Sequence, residues 1–289
     1  MDLGEIEPVL AQQVLDPHAE RARFGRIDGD GAHYFKKCSR GLAAAGVVGV
    51  PAPLKTQGIV LRSLRYAEAD RILHLYTPDL GRVGAIAKGV RKPRSRFGGR
   101  LEPFFHLHLL LHRGRGELMT VTGAETVAGH PALRQDAGAL DAAARACDAV
   151  ARLFETSEPH PQVFWLLANE LGLLDREPGR AGHANALAFR LKLLVAAGIA
   201  PQLSGCASCG DAEHLIGFSG AAGGVVCAAC EASGFALERD AHAFMADSLG
   251  RPLAEAPDAP ERALRQAERA IIETAEHHAH VRLRPALAA

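Results

Sequence analysis

Four cysteines form two closely spaced pairs, an arrangement typical of a metal site. Cys206 and Cys209 make the first C-x-x-C pair, Cys227 and Cys230 make the second, and 17 residues separate the pairs. Two such knuckles bring four thiolates toward the tetrahedron that zinc prefers, and a full thiolate shell leaves no position for water or substrate. The pattern therefore predicts one structural Zn²⁺ ion. Glycines beside the pairs supply backbone freedom for tight turns, namely Gly205, Gly210, Gly223 and Gly224.

The alternatives for these cysteines are redox-active dithiols or a disulfide framework. The segment 1–10 carries acids and lacks the basic start of a secretory signal, and the apolar stretch 42–50 is far shorter than a membrane span of about 20 residues. We therefore expect a cytoplasmic protein, in which metal binding is the better interpretation of paired cysteines. Cys38 and Cys147 stand outside the pattern and are interpreted as unligated thiols.

A second group of residues could bind phosphate. The run 86–100 contains six basic residues and no acid, so it could follow a phosphate backbone while Phe97 stacks on a base. The alternative is a solvated charged loop without a ligand. The candidate phosphate-binding residues are Lys88, Arg91, Lys92, Arg94, Arg96 and Arg100, with Arg62 and Arg65 as weaker candidates.

Charge is distributed unevenly along the 289 residues, although the formal net charge is zero. Between residues 54 and 128 there are thirteen Lys and Arg but only six Asp and Glu, a net charge of about +7. The remainder of the chain has 20 basic and 27 acidic residues, a net charge of about −7. Only the first of these two parts is expected to attract a polyanion.

The basic part has the pattern of a small β-barrel. Five short β-rich runs, separated by turn signals, span residues 58–65, 71–77, 83–88, 105–112 and 118–127. Five short strands with one long connection predict an OB-fold, a partly open barrel suited to oligonucleotides. Residues 1–53 show no sustained period and end in a proline-rich linker, so we expect a disordered N-terminal extension before an OB-fold domain over 54–129.

Beyond residue 131 the apolar spacing becomes helical. The periodicity predicts helices near 133–154, 161–174, 184–197 and 260–280, of which the second is apolar almost all round and should be the centre of a bundle. We therefore expect an α+β multidomain protein in which an α-helical domain, formed by 130–204 and 236–289, carries an inserted zinc ribbon at 205–235.

Two further groups have a functional and a structural interpretation. Arg190 and Lys192 lie on an otherwise apolar helix, either as a partly exposed face or as the cations of a groove for an acidic peptide with an apolar end. His106, His108 and His112 share one face of the fourth predicted strand, and an exposed polar face is favoured there over a metal site. The histidines near residue 280 have no carboxylate or cysteine at ligand spacing and are interpreted as a polar helix end.

Motifs of several enzyme classes are missing from the sequence. There is no G-x-x-x-x-G-K-[ST] phosphate loop and no H-E-x-x-H zinc helix, and the sequence from Gly217 to Ala221 lacks the final glycine of a nucleophile elbow. A zinc-dependent nuclease or deaminase would need an open metal position, which four thiolates do not leave. We therefore expect a protein that is not an enzyme.

Several segments resemble the RecO recombination-mediator family. The opening is similar at 58–62 and 68–72, the barrel loop at 88–92 and 95–99, the approach to the fourth strand at 101–104, and the helical domain at 189–194. The resemblance covers residues from about 54 to 280, with the cysteine pairs where zinc-bearing members have theirs. Residues 1–53 depart from the usual start of the family.

The resemblance implies a mediator of DNA repair and recombination. Such a protein would bind single- and double-stranded DNA, anneal complementary strands, and act with RecR and the acidic C-terminal tail of single-stranded DNA-binding protein to help RecA onto coated DNA. It would work at the nucleoid in the cytoplasm, without catalysis. Arg190 and Lys192 are the candidates for contacting the tail. The alternative function is a zinc-ribbon adaptor that binds only proteins.

Overall fold

The computed structural model describes residues 52–114, 116–230 and 234–287. The predicted extension at 1–53 therefore lies almost entirely outside the described residues. Within the described parts of the chain, no helix combines the length and apolarity needed to cross a lipid bilayer.

The first part of the chain is a closed five-stranded barrel, as the sequence predicts. Its strands are β1 (Leu54–Tyr66), β2 (Asp70–Thr77), β3 (Gly81–Ala87), β4 (His106–Arg113) and β5 (Met119–Ala128), in the order β1-β2-β3-β5-β4. All neighbours pair antiparallel except β3 and β5, whose short parallel pairing, together with the β1–β4 pairing, closes the barrel. This order, with the long β3–β4 connection, is that of an OB-fold.

Alternation along the strands divides the side chains between an inner and an outer face. On β2, for example, Leu73 and Leu75 enter the barrel core while Tyr76 faces the helices. The register between β1 and β2 shifts between Val60 and Arg62, so Leu61 is the extra residue of a β-bulge. As a result Leu61 and Arg62 both lie on the outer face.

Part of the outer face of the barrel is buried against the helical domain. Ile59, Leu61 and Tyr76 belong to the same apolar core as the helices. His106 lies there too, with its ring 5.2 Å from that of Phe164, and burial lowers its pKa to about 4. The predicted exposed face of three histidines is therefore wrong for His106, because the helical domain covers that end of β4, whereas His108 is exposed.

The helical domain contains α1 (Ala137–Leu153), α2 (Pro161–Arg176), α3 (His183–Ala196), α4 (Arg239–Gly250) and α5 (Glu261–Ala279). Four of these match predicted helices. Helical periodicity did not predict α4, because its buried face is short and mixed in composition, with Ala241, Phe244, Met245 and Ser248 at helical spacing. Cys147 is buried in α1, as expected for an unligated thiol.

The cysteine-rich segment folds as a small sheet between α3 and α4. Its strands are β6 (Leu215–Ser219), β7 (Gly224–Cys227) and β8 (Phe235–Ala236), in the order β7-β6-β8. Phe218 and Val225 extend into the core of the helical domain. Gly224 is required for space, because a Cβ there would lie 2.2 Å from the carbonyl oxygen of Gln202, to which β7 is bridged.

One ionisable side chain, Glu170, is enclosed between α2 and α3 with Asn185 as its partner. The side-chain nitrogen of Asn185 lies 2.9 and 3.1 Å from the two carboxyl oxygens of Glu170, which is 1% exposed. Burial raises the pKa of Glu170 from 4.5 to about 8, and the hydrogen bond from Asn185 opposes this rise. Glu170 therefore carries a proton in the folded protein at neutral pH.

The protonated state of Glu170 predicts a pH dependence of stability. Between about pH 4.5 and 8 the folded protein keeps a proton that the unfolded chain releases, so the free energy of unfolding falls as pH rises, by at most about 1.4 kcal/mol per pH unit from this group. Glu170→Gln should flatten this part of the stability curve, as measured by urea unfolding from pH 5 to 8. The control is Glu177→Gln, at an exposed carboxyl just beyond the same helix. Parallel curves for Glu170→Gln and the unaltered chain would contradict the assignment.

Candidate nucleic-acid interface and metal centre

The four paired cysteines converge on one point. The sulfur atoms of Cys206, Cys209, Cys227 and Cys230 all lie within 4.8 Å of one another, and Sγ of Cys209 is 3.7 Å from Sγ of Cys227. A disulfide would need about 2.05 Å. Four sulfurs at about 2.3 Å from one zinc ion would be about 3.8 Å apart at tetrahedral angles. The cluster is therefore compatible with one zinc ion.

Backbone hydrogen bonds hold the two knuckles in this arrangement. The amide of Gly210 donates to the carbonyl of Cys206 at 2.8 Å, and the amide of Cys230 donates to that of Cys227 at 2.9 Å. The amide of Ala207 donates to Val225 at 2.8 Å, which joins the first knuckle to β7. Of the four glycines considered from the sequence, Gly210 and Gly223 have the positive φ angles, +82° and +84°.

The thiols of the cluster cannot easily ionise together. Hydrogen bonding from the backbone of Cys227 lowers the pKa of Cys206 to about 6, while the pKa of Cys230 is raised to about 12, chiefly by its contact with Cys209. Four thiolates so close together need a cation between them. Because residues 193–238 contain neither Lys nor Arg, no permanently charged basic side chain of this segment supplies that charge.

The second candidate site is the barrel loop, residues 88–105, which joins β3 to β4. It advances through consecutive tight turns, in which the amide of Lys92 donates to Gly89 and that of Ser95 donates to Lys92, at 3.2 and 3.0 Å. All six of the basic candidates on this loop are exposed, namely Lys88, Arg91, Lys92, Arg94, Arg96 and Arg100. The turns thus present six cations to solvent from one short segment.

Two apolar side chains fix the barrel loop to the barrel. Phe97 and Leu101 are each 1% exposed and belong to the barrel core together with Leu73 and Leu107. The expectation that Phe97 stacks on a base is therefore wrong, because its ring is enclosed by the barrel. Its contact with a cation is on the protein itself, where the guanidinium carbon of Arg96 lies 4.8 Å from the ring centre.

Polar contacts join the barrel loop to the turn between β1 and β2. The amide of Gly89 donates to a carboxyl oxygen of Asp70 at 2.8 Å, and that of Arg91 donates to the carbonyl of Ala69 at 2.9 Å. Arg71 pairs with Glu102 at 2.8 Å. Two acids at this end of the barrel are thus engaged by the fold. The sequence did not predict these contacts between the β1–β2 turn and the barrel loop, although it located both segments.

The two weaker basic candidates lie on β1. Arg62 and Arg65 are exposed on the last part of β1, and Arg65 is the cross-strand neighbour of Arg71. The C-terminal end of β1 and the C-terminal end of β3 meet there, because both strands are antiparallel to β2. The structure therefore brings Arg65 to the same end of the barrel as the six loop cations, whereas Arg62, opposite His74, lies nearer the middle of β1 and β2.

The two cations expected to receive a partner peptide are buried. Arg190 and Lys192 are each 3% exposed on α3. Arg190 donates to the carbonyl of Pro285 at 3.1 Å and lies 3.7 Å from Glu268, and burial lowers its pKa to about 10. Lys192 donates to the carbonyl of Arg251 at 2.7 Å. The expected peptide contact is therefore wrong, because these side chains bind segments that follow α5 and α4.

Phe97 is predicted to matter for stability through its burial. Phe97→Ala should lower the free energy of unfolding by about 3–5 kcal/mol, because it leaves a cavity in the barrel core. Arg94→Ala, at an exposed position three residues earlier, should change it by no more than about 0.5 kcal/mol. Chemical unfolding followed by circular dichroism provides the measurement. Equal stability of the two variants would show that the ring is not an anchor.

Comparison with known proteins assigns the chain to a family. The sequence model described as "Recombination protein O N terminal" matches residues 52–130, and the one described as "Recombination protein O C terminal" matches residues 134–285. A protein named "DNA repair protein RecO" from Rubrobacter xylanophilus is 40% identical over 227 residues, which are 75% of this chain and 88% of the relative. A protein of the same name from Anaeromyxobacter dehalogenans is 37% identical over 244 residues, or 80% and 93% of the two chains. The barrel, the helical domain and the cysteine cluster are thus those of a chain that belongs to the RecO family of DNA repair proteins.

Proposed function

We propose that this protein binds single-stranded DNA, anneals complementary strands and, together with RecR, helps RecA onto DNA coated by single-stranded DNA-binding protein. The observation that carries the proposal is the group of exposed cations on a loop that is fixed to an OB-fold barrel. The family supports the general role in DNA repair. The details of strand annealing and loading are our inference.

The proposed mechanism is binding and exchange without covalent chemistry. Lys88, Arg91, Lys92, Arg94, Arg96 and Arg100 would neutralise phosphates, with Arg62 and Arg65 beside them. Contacts of this kind release counterions and do not depend on base sequence. A protein that holds a strand through its phosphates leaves the Watson–Crick edges available, which annealing requires.

Two features of the barrel loop favour binding to a polyanion over a merely solvated charge. Its shape is set by the buried Phe97 and Leu101, so the cations are presented on a fixed support and lose less conformational freedom when they bind. In addition, two acids at this end of the barrel, Asp70 and Glu102, are already bonded to Gly89 and Arg71, so they do not neutralise the loop cations. A zinc-ribbon adaptor that binds only proteins would instead use this charge for an acidic partner, and titration with a labelled oligonucleotide separates the two functions.

The protein partners proposed for this chain are RecR and the acidic tail of single-stranded DNA-binding protein. RecA is an indirect partner, which is loaded onto the DNA. We propose that they meet this chain at the nucleoid in the cytoplasm. The seat for the acidic tail lies elsewhere than on Arg190 and Lys192, whose charged groups are committed inside the helical domain.

We further propose that Cys206, Cys209, Cys227 and Cys230 hold one structural Zn²⁺ ion. A zinc ion would neutralise the thiolates and close the loop between the two knuckles, which in turn fixes the sheet whose Phe218 enters the helical core. The segment lacks Lys and Arg from residue 193 to 238, so it is unsuited to phosphate binding. Its proposed role is to support the fold and the surface for protein partners.

DNA binding is predicted to depend on the barrel loop. Replacement of Arg91, Lys92, Arg94 and Arg96 by Ala should weaken the binding of a fluorescein-labelled oligonucleotide and reduce the slope of log Kobs against log salt by up to about 3, or about 0.7 for each lost phosphate contact. Fluorescence anisotropy titrations at several salt concentrations measure both quantities.

The matched control removes four positive charges from the helical domain, through Ala at Arg239, Arg251, Arg262 and Arg265, all of them exposed. It should bind the oligonucleotide nearly as well as the unaltered chain. Equal losses in both variants would mean that only net charge matters, and unchanged binding by the loop variant would refute the placement of the DNA.

Zinc is predicted to be bound at one ion per chain, with four sulfur ligands at about 2.3 Å. Cys209→Ser should lower both the zinc content and the thermal stability, because one ligand is lost. Cys147→Ala changes a thiol outside the cluster and should leave the zinc content unchanged. Elemental analysis and X-ray absorption of the purified chain provide the measurements, and fewer than four sulfur ligands would count against a closed structural site.

A further inference from the structure

The outer face of the barrel carries a row of apolar side chains that is part of neither the barrel core nor the core of the helical domain. Leu64 on β1 pairs with Ile72 on β2, and Ile72 pairs with Ile86 on β3, so three apolar side chains stand side by side across three strands. Each of them is only half-buried. None of the three belongs to the core of the barrel or to that of the helical domain. We call these three residues the apolar row.

The apolar row is open because the helical domain covers only the other end of this face. The outward residues nearer that domain are Ile59, Leu61 and Tyr76, which are buried in its core. Arg82, on β3, marks the boundary, since its guanidinium donates to the carbonyl of Ala151 at 3.2 Å. Beyond Arg62 and its neighbour His74, the face extends away from the helices toward the barrel loop.

An exposed aromatic side chain stands at the end of the apolar row. Tyr66 follows Leu64 by two residues on β1, so both side chains lie on the same face. Tyr66 is 49% exposed, the highest exposure among the large apolar and aromatic side chains of the described residues. Its cross-strand neighbour, Asp70, is engaged by the amide of Gly89. The ring is therefore available to a ligand.

The charges around the apolar row indicate the chemistry of that ligand. Arg62 lies at one side, exposed on β1, and Lys88 follows β3 directly at the other. The remaining cations of the barrel loop continue from Lys88. A flat apolar and aromatic strip bordered by cations fits unpaired bases whose phosphates run along the border, since a base presents an apolar face beside a charged backbone. A protein partner would need acidic groups beside an apolar centre, as an acidic tail with an apolar end has, and the test below separates such a partner from bases.

We infer that the apolar row and Tyr66 hold the unpaired bases of a bound single strand, with one base stacked on the ring of Tyr66. The inference rests on the proposed DNA binding and adds to it a means of distinguishing single strands from duplex. Bases within a duplex are already stacked and paired, so only the phosphate contacts of the barrel loop are open to them. The stacking aromatic is Tyr66, on a strand, instead of the buried Phe97.

The test compares three ligands of the same length in anisotropy titrations: an oligothymidylate, an abasic oligonucleotide of the same charge, and a duplex. Tyr66→Ala should weaken binding of the oligothymidylate roughly 5- to 100-fold, the usual range for loss of one stacked base. It should leave the abasic and duplex affinities and the salt slope unchanged. Tyr66→Phe keeps the ring and should bind the oligothymidylate within about twofold of the unaltered chain.

Thermal unfolding of each variant verifies that the fold is retained. As a second measurement, Ile72→Thr keeps the branch at Cβ but replaces the ethyl group by a hydroxyl, so it removes apolar surface from the row and should also weaken oligothymidylate binding selectively. Equal weakening of all three ligands by Tyr66→Ala, or no change with any, would overturn the inference. Loss of RecR binding by Tyr66→Ala with unchanged oligothymidylate affinity would also overturn it, and would assign the row to a protein.

Failure of this inference is distinguishable from failure of the proposed function. If the unaltered chain binds none of the three ligands, DNA binding itself is refuted and the inference falls with it. If the four-residue barrel-loop variant loses affinity but Tyr66→Ala does not, DNA binding stands and only the base platform is wrong.

Discussion

Six cations on one short loop repel one another, and this repulsion is the physical constraint on the structure at this end of the barrel. Side chains of like charge would spread the loop into solvent if nothing opposed them. Burial of Phe97 and Leu101 in the barrel core opposes this spreading, and the hydrogen bonds from Gly89 and Arg91 to the β1–β2 turn fix the start of the loop. A polyanion placed along the loop would relieve the remaining repulsion. The same feature thus explains why the loop needs anchors and why it suits DNA.

The helical domain and its interface with the barrel bury several ionisable side chains, namely His106, Glu170, Arg190 and Lys192. His106 remains uncharged between the barrel and α2, with its Nε2 atom 2.7 Å from the amide oxygen of Gln57. Glu170 remains protonated beside Asn185. Arg190 donates to the carbonyl of Pro285, and Lys192 donates to the carbonyl of Arg251. These two contacts join α3 to the segments that follow α5 and α4.

Charge and apolar surface are divided among the parts of the molecule in a way that fits a mediator. The barrel loop presents cations, the neighbouring face presents an apolar row, and the cysteine-rich segment has neither Lys nor Arg. A single strand could contact both the loop cations and the apolar row, whereas a duplex could contact only the cations. Protein partners would bind the surfaces without excess positive charge. The proposed function, in which one strand is held, a second is accepted and the DNA is then released, would benefit from contacts that are separate and individually weak.

The sequence by itself determined the features that depend on local spacing. Alternation and turn residues located five strands, helical periodicity located four helices, and the spacing of Cys206, Cys209, Cys227 and Cys230 brought four sulfurs together. Tertiary structure decided which side chains remain accessible, because that depends on segments far apart in the chain. The barrel enclosed Phe97, the ends of α4 and α5 covered Arg190 and Lys192, and α2 covered His106. The tertiary structure also leaves Tyr66 uncovered at the end of β1. Periodicity assigns a residue to a face, but only packing decides whether that face is exposed to water.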